Sequence, residues 1–158
     1  MNSSSMSKNM KGDLALTKFA IIAMSVISVG LMLAGPRLIH YVMLRQSPLF
    51  EGRTRYILLL LGGYVSGFLM LYCLYVLMGL VKRIGDGDVF VRANVNSLNR
   101  VSLIILTAAV ILLFLGLTCI TSMVAVSVMA AFMTLIVRVV RDAFLRAVEM
   151  QDELDYTI

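Results

Sequence analysis

The chain has 158 residues, of which 60% are hydrophobic and only 15% are charged, and its mean hydropathy is +0.93. This composition excludes an ordinary soluble domain and predicts one all-α integral membrane domain over 1–158. Cys73 and Cys119 form no CxxC pair and no His/Cys cluster, so neither a redox pair nor a metal site is predicted.

The N-terminal third begins with a polar, serine-rich segment, 1–12, which we expect to be a disordered tail. A first span is predicted at about 14–34. It has a long apolar core and no A-x-A site after it, which favours an uncleaved signal anchor. Pro36 is expected to end this span and to start a basic connection over 36–55.

A second span is predicted at about 56–81. Gly63 and Gly67 form a GxxxG pair, which predicts close helix packing within the chain or between two copies of it. Four aromatic residues share one face of this helix: Tyr64, Phe68, Tyr72 and Tyr75. No acidic residue accompanies them, so we expect a buried aromatic seam inside the bundle rather than a ligand cage.

The segment 82–100 is the most polar internal stretch. Its Gly-Asp-Gly-Asp sequence at 85–88 lacks the terminal glutamate of a calcium loop and predicts a plain turn. Phe90, Asn94 and Leu98 then recur at helical spacing, which predicts a short amphipathic helix at the membrane interface that runs into the third span.

The stretch 101–137 contains no charge and no proline. A single helix of this length would rise roughly 55 Å, nearly twice the ~30 Å hydrocarbon core, so we predict two spans at about 101–117 and 122–140. Small and polar residues place the turn between them at 116–122. Beyond the fourth span, 141–158 is predicted to continue as a cytosolic helix that ends in an acidic tail.

The distribution of basic residues predicts the orientation in the membrane, because lysine and arginine are enriched in cytoplasmic loops. Four spans with both termini inside place ten basic residues in the cytosol: Lys8, Lys11, Lys18, Lys82, Arg83, Arg92, Arg100, Arg138, Arg141 and Arg146. Four remain outside: Arg37, Arg45, Arg53 and Arg55. This bias accounts for the net charge of +5, so direct nucleic-acid binding is not predicted.

Two motifs carry a resemblance to a known family. The first is G-x-x-F-x-x-x-N-x-x-x-L before the third span, formed by Gly87, Phe90, Asn94 and Leu98. The second is segment 150–158, which is similar to L-x-E-E-N-D-L-T-V/I except that leucine replaces asparagine at 154 and tyrosine replaces leucine at 156. These motifs resemble those of the bacterial membrane family called domain of unknown function 2975.

The resemblance implies four spans in the bacterial cytoplasmic membrane. Genes of that family often lie beside a gene for a small helix-turn-helix regulator, which implies a membrane partner that holds or releases a DNA-binding protein. A non-enzymatic regulatory or scaffold role is therefore expected. The residues expected to contact such a partner are Phe90, Asn94, Leu98, Phe144, Asp152, Glu153, Asp155 and Tyr156.

The acidic tail has two alternative interpretations. Its carboxylates could pair within the chain with Lys82, Arg83, Arg92 and Arg100. Alternatively, they could be offered to a basic cytosolic protein, and a DNA-binding domain is basic by necessity. Three carboxylates would bind weakly alone, so apolar side chains would have to act as anchors.

Two other function classes fit the sequence less well. No acidic residue lies in a predicted span, which argues against proton-coupled transport. The alternative of a passive pore would use the hydroxyls of Ser25, Ser28, Ser66, Thr107, Ser127 and Thr134, although such groups commonly link helices. An enzyme is not expected, because His40 is the only histidine and no catalytic or cofactor-binding cluster is present.

Overall fold

The fold consists of four long α-helices, and the computed structural model describes residues 3–44, 49–50 and 52–156, with the side chains of 12–44, 49–50 and 52–154. The helices are α1 (Ser3–Val42), α2 (Gly52–Gly85), α3 (Arg92–Thr118) and α4 (Ser122–Tyr156). The described residues contain no β-strand. The predicted all-α class is therefore confirmed.

Each helix contains a stretch that is long and apolar enough to cross a membrane. These stretches are Gly12–Met43, Gly52–Gly85, Arg92–Thr118 and Ser122–Leu154, with mean hydropathy between 2.1 and 2.7 in their most apolar windows. The shortest has 27 residues and would rise about 40 Å, which exceeds the hydrocarbon thickness of ~30 Å. These properties indicate a multi-pass membrane protein in a lipid bilayer.

Two boundaries of α1 differ from the predicted ones. The helix begins at Ser3, so most of the segment expected to be a disordered tail is helical. It also passes through Pro36 and ends at Val42. Proline removes one backbone donor, and membrane helices tolerate it because neighbouring groups and local adjustments satisfy the freed carbonyl.

The later boundaries lie close to the predicted ones. Residues 92–100 are the first nine residues of α3, in one helix with the third span. The turn between α3 and α4 occupies 119–121, inside the range expected for it. α4 continues without a break to Tyr156.

The helices are antiparallel and pack in chain order. Backbone contacts join α1 to α2, α2 to α3 and α3 to α4, and the described residues show no other helix pair in backbone contact. The predicted four-helix bundle is therefore an open row at the level of the backbone. Short connections keep neighbours together, whereas lipid supplies no hydrophobic force that would bring α1 against α4.

The antiparallel order places the start of α1, the turn between α2 and α3 and the end of α4 at one end of the row, here called the terminal end. The opposite end, here called the connection end, carries the turn at 119–121 and the segment between α1 and α2. There Leu59, Leu115 and Cys119 form a buried cluster, to which α1 adds Ile39 and α4 adds Met123. Side chains of all four helices thus meet at the connection end.

A seven-residue repeat packs α4 against α3. The more deeply buried positions are Ser127, Thr134 and Val148, and Arg141 completes the series as a half-buried residue. A second series at the same spacing is half-buried: Met123, Ala130, Val137 and Phe144. Such a seam is typical of coiled-coil packing. The Ser127 hydroxyl donates a hydrogen bond of 2.8 Å across it to the carbonyl of Ala109.

The expected aromatic seam is wrong. Tyr64, Phe68, Tyr72 and Tyr75 are between 36% and 76% exposed, so they lie on the outer face of α2. In an open row α2 has protein neighbours on two sides only, and this face meets lipid instead. Periodicity identifies an apolar face, but in a membrane protein both lipid and protein can cover it.

Glycines mark the closest approaches between helices. A Cβ atom at Gly67 would lie 2.8 Å from the Met32 sulfur of α1, whereas one at Gly63 would meet nothing within 4 Å. A Cβ atom at Gly62 would lie 2.5 Å from Leu115 Cδ1 of α3. The GxxxG pair therefore has one glycine at a helix contact, and the neighbouring Gly62 provides another.

Gly116→Ala should destabilise the α3–α4 hairpin, because the new Cβ atom would lie 2.7 Å from the backbone nitrogen of Val124, which cannot move independently of α4. We expect a loss of about 1–3 kcal/mol in the free energy of unfolding, measured by circular dichroism in detergent. Gly30→Ala is the matched control, since its Cβ atom meets nothing within 4 Å. Equal stability of the two variants would contradict the tight contact.

Candidate partner-binding surface

The turn between α2 and α3 is closed by its own backbone. The amides of Asp86 and Asp88 donate to the carbonyls of Lys82 and Arg83, both at 3.0 Å. These bonds satisfy carbonyls that the last turn of a helix leaves without partners. Gly87 has a φ of 98°, a left-handed conformation that glycine adopts without steric cost.

The side chain of Asn94 fixes this turn to α3. Its amide nitrogen donates to the carbonyls of Asp88 and Val89, both at 2.8 Å. Its amide oxygen accepts a hydrogen bond of 2.8 Å from Nε of Arg83. The residue is fully buried, and its one side chain links the end of α2, the turn and the start of α3.

Arg83 completes the same network. Its guanidinium also donates to the hydroxyl of Ser97, which in turn donates to the carbonyl of Ala93 at 2.9 Å. A half-buried arginine with two hydrogen-bond acceptors satisfies much of its donor capacity. Arg83 therefore belongs to the internal framework of the turn, although the sequence suggests it as a partner for the acidic tail.

α4 contacts this framework at three levels. Nearest the membrane, the Arg141 guanidinium donates to the side-chain oxygen of Asn99 at 2.8 Å. Further along α4, the rings of Phe144 and Phe90 lie 5.8 Å apart between centroids, with their planes at 47°. In the last turns Asp152 forms an ion pair of 3.2 Å with Arg92.

These three levels differ in strength. The Arg92 and Asp152 side chains are 76% and 48% exposed, and ion pairs in such surroundings contribute about 0–1 kcal/mol. The tilted ring pair adds about 0.5–1.5 kcal/mol beyond its buried area. The half-buried hydrogen bond from Arg141 to Asn99 has a charged donor, and bonds of that kind contribute about 1.5–3 kcal/mol. The contacts thus weaken from the turn toward the end of α4.

The exposed part of this region is here called the terminal surface and comprises the turn at 86–91, Arg92 and the α4 segment 144–154. It combines acidic side chains with exposed apolar ones. Met150 and Leu154 are 59% and 68% exposed, and Glu149 and Glu153 are exposed on the same helix end. An acidic surface with apolar anchors can bind a basic, partly apolar protein.

Comparison with known protein families supports the expected relationship. Residues 18–158 match the family described as "Protein of unknown function (DUF2975)". The chain belongs to this family. The match covers the first apolar stretch from Lys18 onward, the other three in full and both motifs that carry the resemblance. No curated protein and no solved structure matches the chain.

The first DUF2975 motif has a structural role in this fold. Gly87 supplies the left-handed turn, Asn94 closes it, and Leu98 is buried at 8% exposure. Among the side chains of this motif, only that of Phe90, 49% exposed, reaches the terminal surface. Asn94 and Leu98 can therefore affect a partner only by positioning the turn.

The described side chains of the second DUF2975 motif, those of 150–154, lie largely at the surface. Asp152 is half exposed and Glu153 is exposed. Phe144, which precedes the motif, is half-buried against Phe90. The side chains of Asp155 and Tyr156, also expected to bind a partner, lie outside the described residues.

Two contacts near the terminal end are not apparent from the sequence: Arg83 with Ser97 and Asn99 with Arg141. The contact of Asn99 with Arg141 could have been predicted from the sequence, because Arg141 occupies a position of the seven-residue repeat that faces α3. In the described part of the chain no three His, Cys, Asp or Glu side chains lie close enough to hold a metal ion.

Asn94→Ala should loosen the turn, because Arg83 and the carbonyls of Asp88 and Val89 lose their partner. Amides of 84–92 are expected to exchange hydrogen for deuterium at least about tenfold faster, as the loss of ~1–3 kcal/mol per unsatisfied group implies. Asn96→Ala is the control, since Asn96 is exposed on the same helix. Unchanged exchange in Asn94→Ala would show that its side chain does not hold the turn.

Proposed function

We propose that this DUF2975 protein is a non-enzymatic regulatory or scaffold protein of the bacterial cytoplasmic membrane. Its terminal surface faces the cytosol and binds a protein partner such as a small helix-turn-helix regulator. Both chain ends lie on the cytosolic side in this proposal, with ten of the fourteen basic residues.

The observation that carries the proposal is the weak attachment of an acidic, partly apolar helix end. Along α4 the contacts change from a buried seam to exposed contacts, among them the ion pair of Arg92 with Asp152. The exposed Met150 and Leu154 lie at the same end of α4 as Asp152. A partner that supplies its own arginine or lysine can replace Arg92 at little energetic cost.

This arrangement supports an exchange mechanism. Without a partner, Asp152 pairs with Arg92 inside the chain. A basic partner offers a competing cation and covers the apolar side chains. The acidic tail then has two states, one paired within the chain and one paired with the partner. A DNA-binding domain fits this chemistry because its surface already attracts phosphates, and carboxylates present the same sign of charge.

The alternative of a pore without proton coupling has less support. Four of the six hydroxyl groups that would line it donate to backbone carbonyls: Ser25, Thr107, Ser127 and Thr134. Ser127 faces the α3–α4 seam, and Ser25 lies on α1, which makes no backbone contact with either helix. A single copy therefore does not gather these groups around one path.

Truncation after Met150 should abolish capture of the partner while leaving membrane insertion unchanged, since the four apolar stretches remain in large part intact. The test is affinity purification of the tagged protein from gently solubilised membranes, with co-purifying proteins identified by mass spectrometry. The full-length chain should recover a small basic DNA-binding protein that the truncated chain lacks. Equal recovery by both chains would exclude the tail as the docking element.

A matched pair of substitutions separates docking from internal pairing. Arg92→Gln and Asp152→Asn break the same ion pair. If a partner binds Asp152, Arg92→Gln should raise its affinity about two- to fivefold by removing a competitor, whereas Asp152→Asn should lower it by a similar factor. Affinity is measured by titrating the captured partner against each variant in detergent. A change in the same direction for both variants would contradict the exchange mechanism.

A further inference from the structure

A groove of about 460 Å³ lies between α1 and α2, in the half of the row nearer the connection end. It runs from the level of Ser28 and Gly67 to the connection end, where Val42, Leu59 and Met123 line it. Its walls are almost entirely apolar. This volume lies within the range of sites that hold small molecules.

The shape of the groove fits a thin chain better than a helix. Gly35 and Gly63 leave it open, since a Cβ atom at either position would meet nothing within 4 Å. Met32, however, fills the space beside Gly67. A second helix, about 10–12 Å across, would pack most closely with both glycines of the GxxxG pair at its contact. The remaining slot suits a flexible hydrocarbon chain.

The inner end of the groove contains little polarity. The Ser66 hydroxyl is buried there without a hydrogen-bond partner among the described residues. A serine in a helix can turn its hydroxyl toward the carbonyl four residues earlier. A hydrocarbon chain in the groove would therefore cost the Ser66 hydroxyl no hydrogen bond. In a bilayer an apolar slot of this kind is filled from the surrounding lipid.

The outer end of the groove carries positive charge. Arg53 precedes Leu60 by seven residues and Tyr56 precedes it by four, so both lie above the groove on the same side of α2. Arg53 is exposed. The sequence 36–55 contains four arginines and a single acidic residue, Glu51. An arginine above an apolar slot complements a phosphate attached to acyl chains.

We propose that the groove binds one acyl chain of an anionic glycerophospholipid, whose phosphate contacts Arg53. The acyl chain fills the space beside Gly63, and Tyr56 lies at the level of the headgroup, where tyrosine is common in membrane proteins. The protein would thereby carry a specific lipid on the side opposite its terminal surface.

The test uses native mass spectrometry of the full-length, delipidated protein in detergent, titrated with dioleoyl phosphatidylglycerol or dioleoyl phosphatidylcholine. Gly63→Phe places a ring in the groove and should weaken binding of both lipids by about tenfold, the effect of displacing roughly two methylene groups. Gly30→Phe is the matched control, because Gly30 also faces open space but does not line the groove. Its lipid binding should equal that of the wild type.

Arg53→Gln tests the headgroup separately. It should weaken phosphatidylglycerol binding by about fivefold, since one basic residue near an anionic lipid contributes about that factor. Phosphatidylcholine binding should weaken less, because its choline group offsets the charge of the same phosphate. Circular dichroism of each variant checks that the helices remain folded. Phosphatidylglycerol binding that survives Gly63→Phe would overturn the proposal. A dimer in the wild type that Gly63→Phe abolishes would also overturn it, because a second copy would then occupy the groove.

Discussion

The buried amide of Asn94 is the interaction on which the terminal end depends. Two carbonyls of the turn and one guanidinium converge on it, each at 2.8 Å. Backbone carbonyls that the protein covers cannot bond water and therefore require partners within the protein. Asn94 provides them for the turn between α2 and α3. The positions of Phe90 and Arg92, and through them the contacts of α4, follow from that turn.

The rest of the molecule shows a gradient from fixed to replaceable contacts. α3 is central, since it packs against both α2 and α4 and holds more of the buried residues than any other helix. The α3–α4 seam is regular up to Val148, and beyond it lies the exposed ion pair of Arg92 with Asp152. A regulatory surface needs this combination, because a partner can exchange a weak contact only if a rigid framework presents it in a constant position.

The sequence predicts the helices well and their neighbours poorly. The stretch 101–137 has no charge and is too long for one span, so its length alone predicts two helices, α3 and α4. The small residues near Gly116 locate the turn between them. The outer position of Tyr64 and Tyr75 could not be predicted, because lipid and protein favour the same side chains. The family motif singles out Asn94 but does not reveal that it is buried. Gly62, rather than Gly63, approaches α3, and a spacing rule cannot choose between adjacent glycines.

The open row has a consequence for synthesis. In the part of the chain that the structure describes, each helix makes its backbone contacts only with the helix before and after it. During translation, α2, α3 and α4 each enter the membrane after the helix against which they pack. Neither α1 nor α2 requires α4 for its backbone contacts. Contacts that are local in sequence form quickly and expose little unpaired surface. This topology therefore suits assembly from the N-terminus onward, with the acidic helix end completed last.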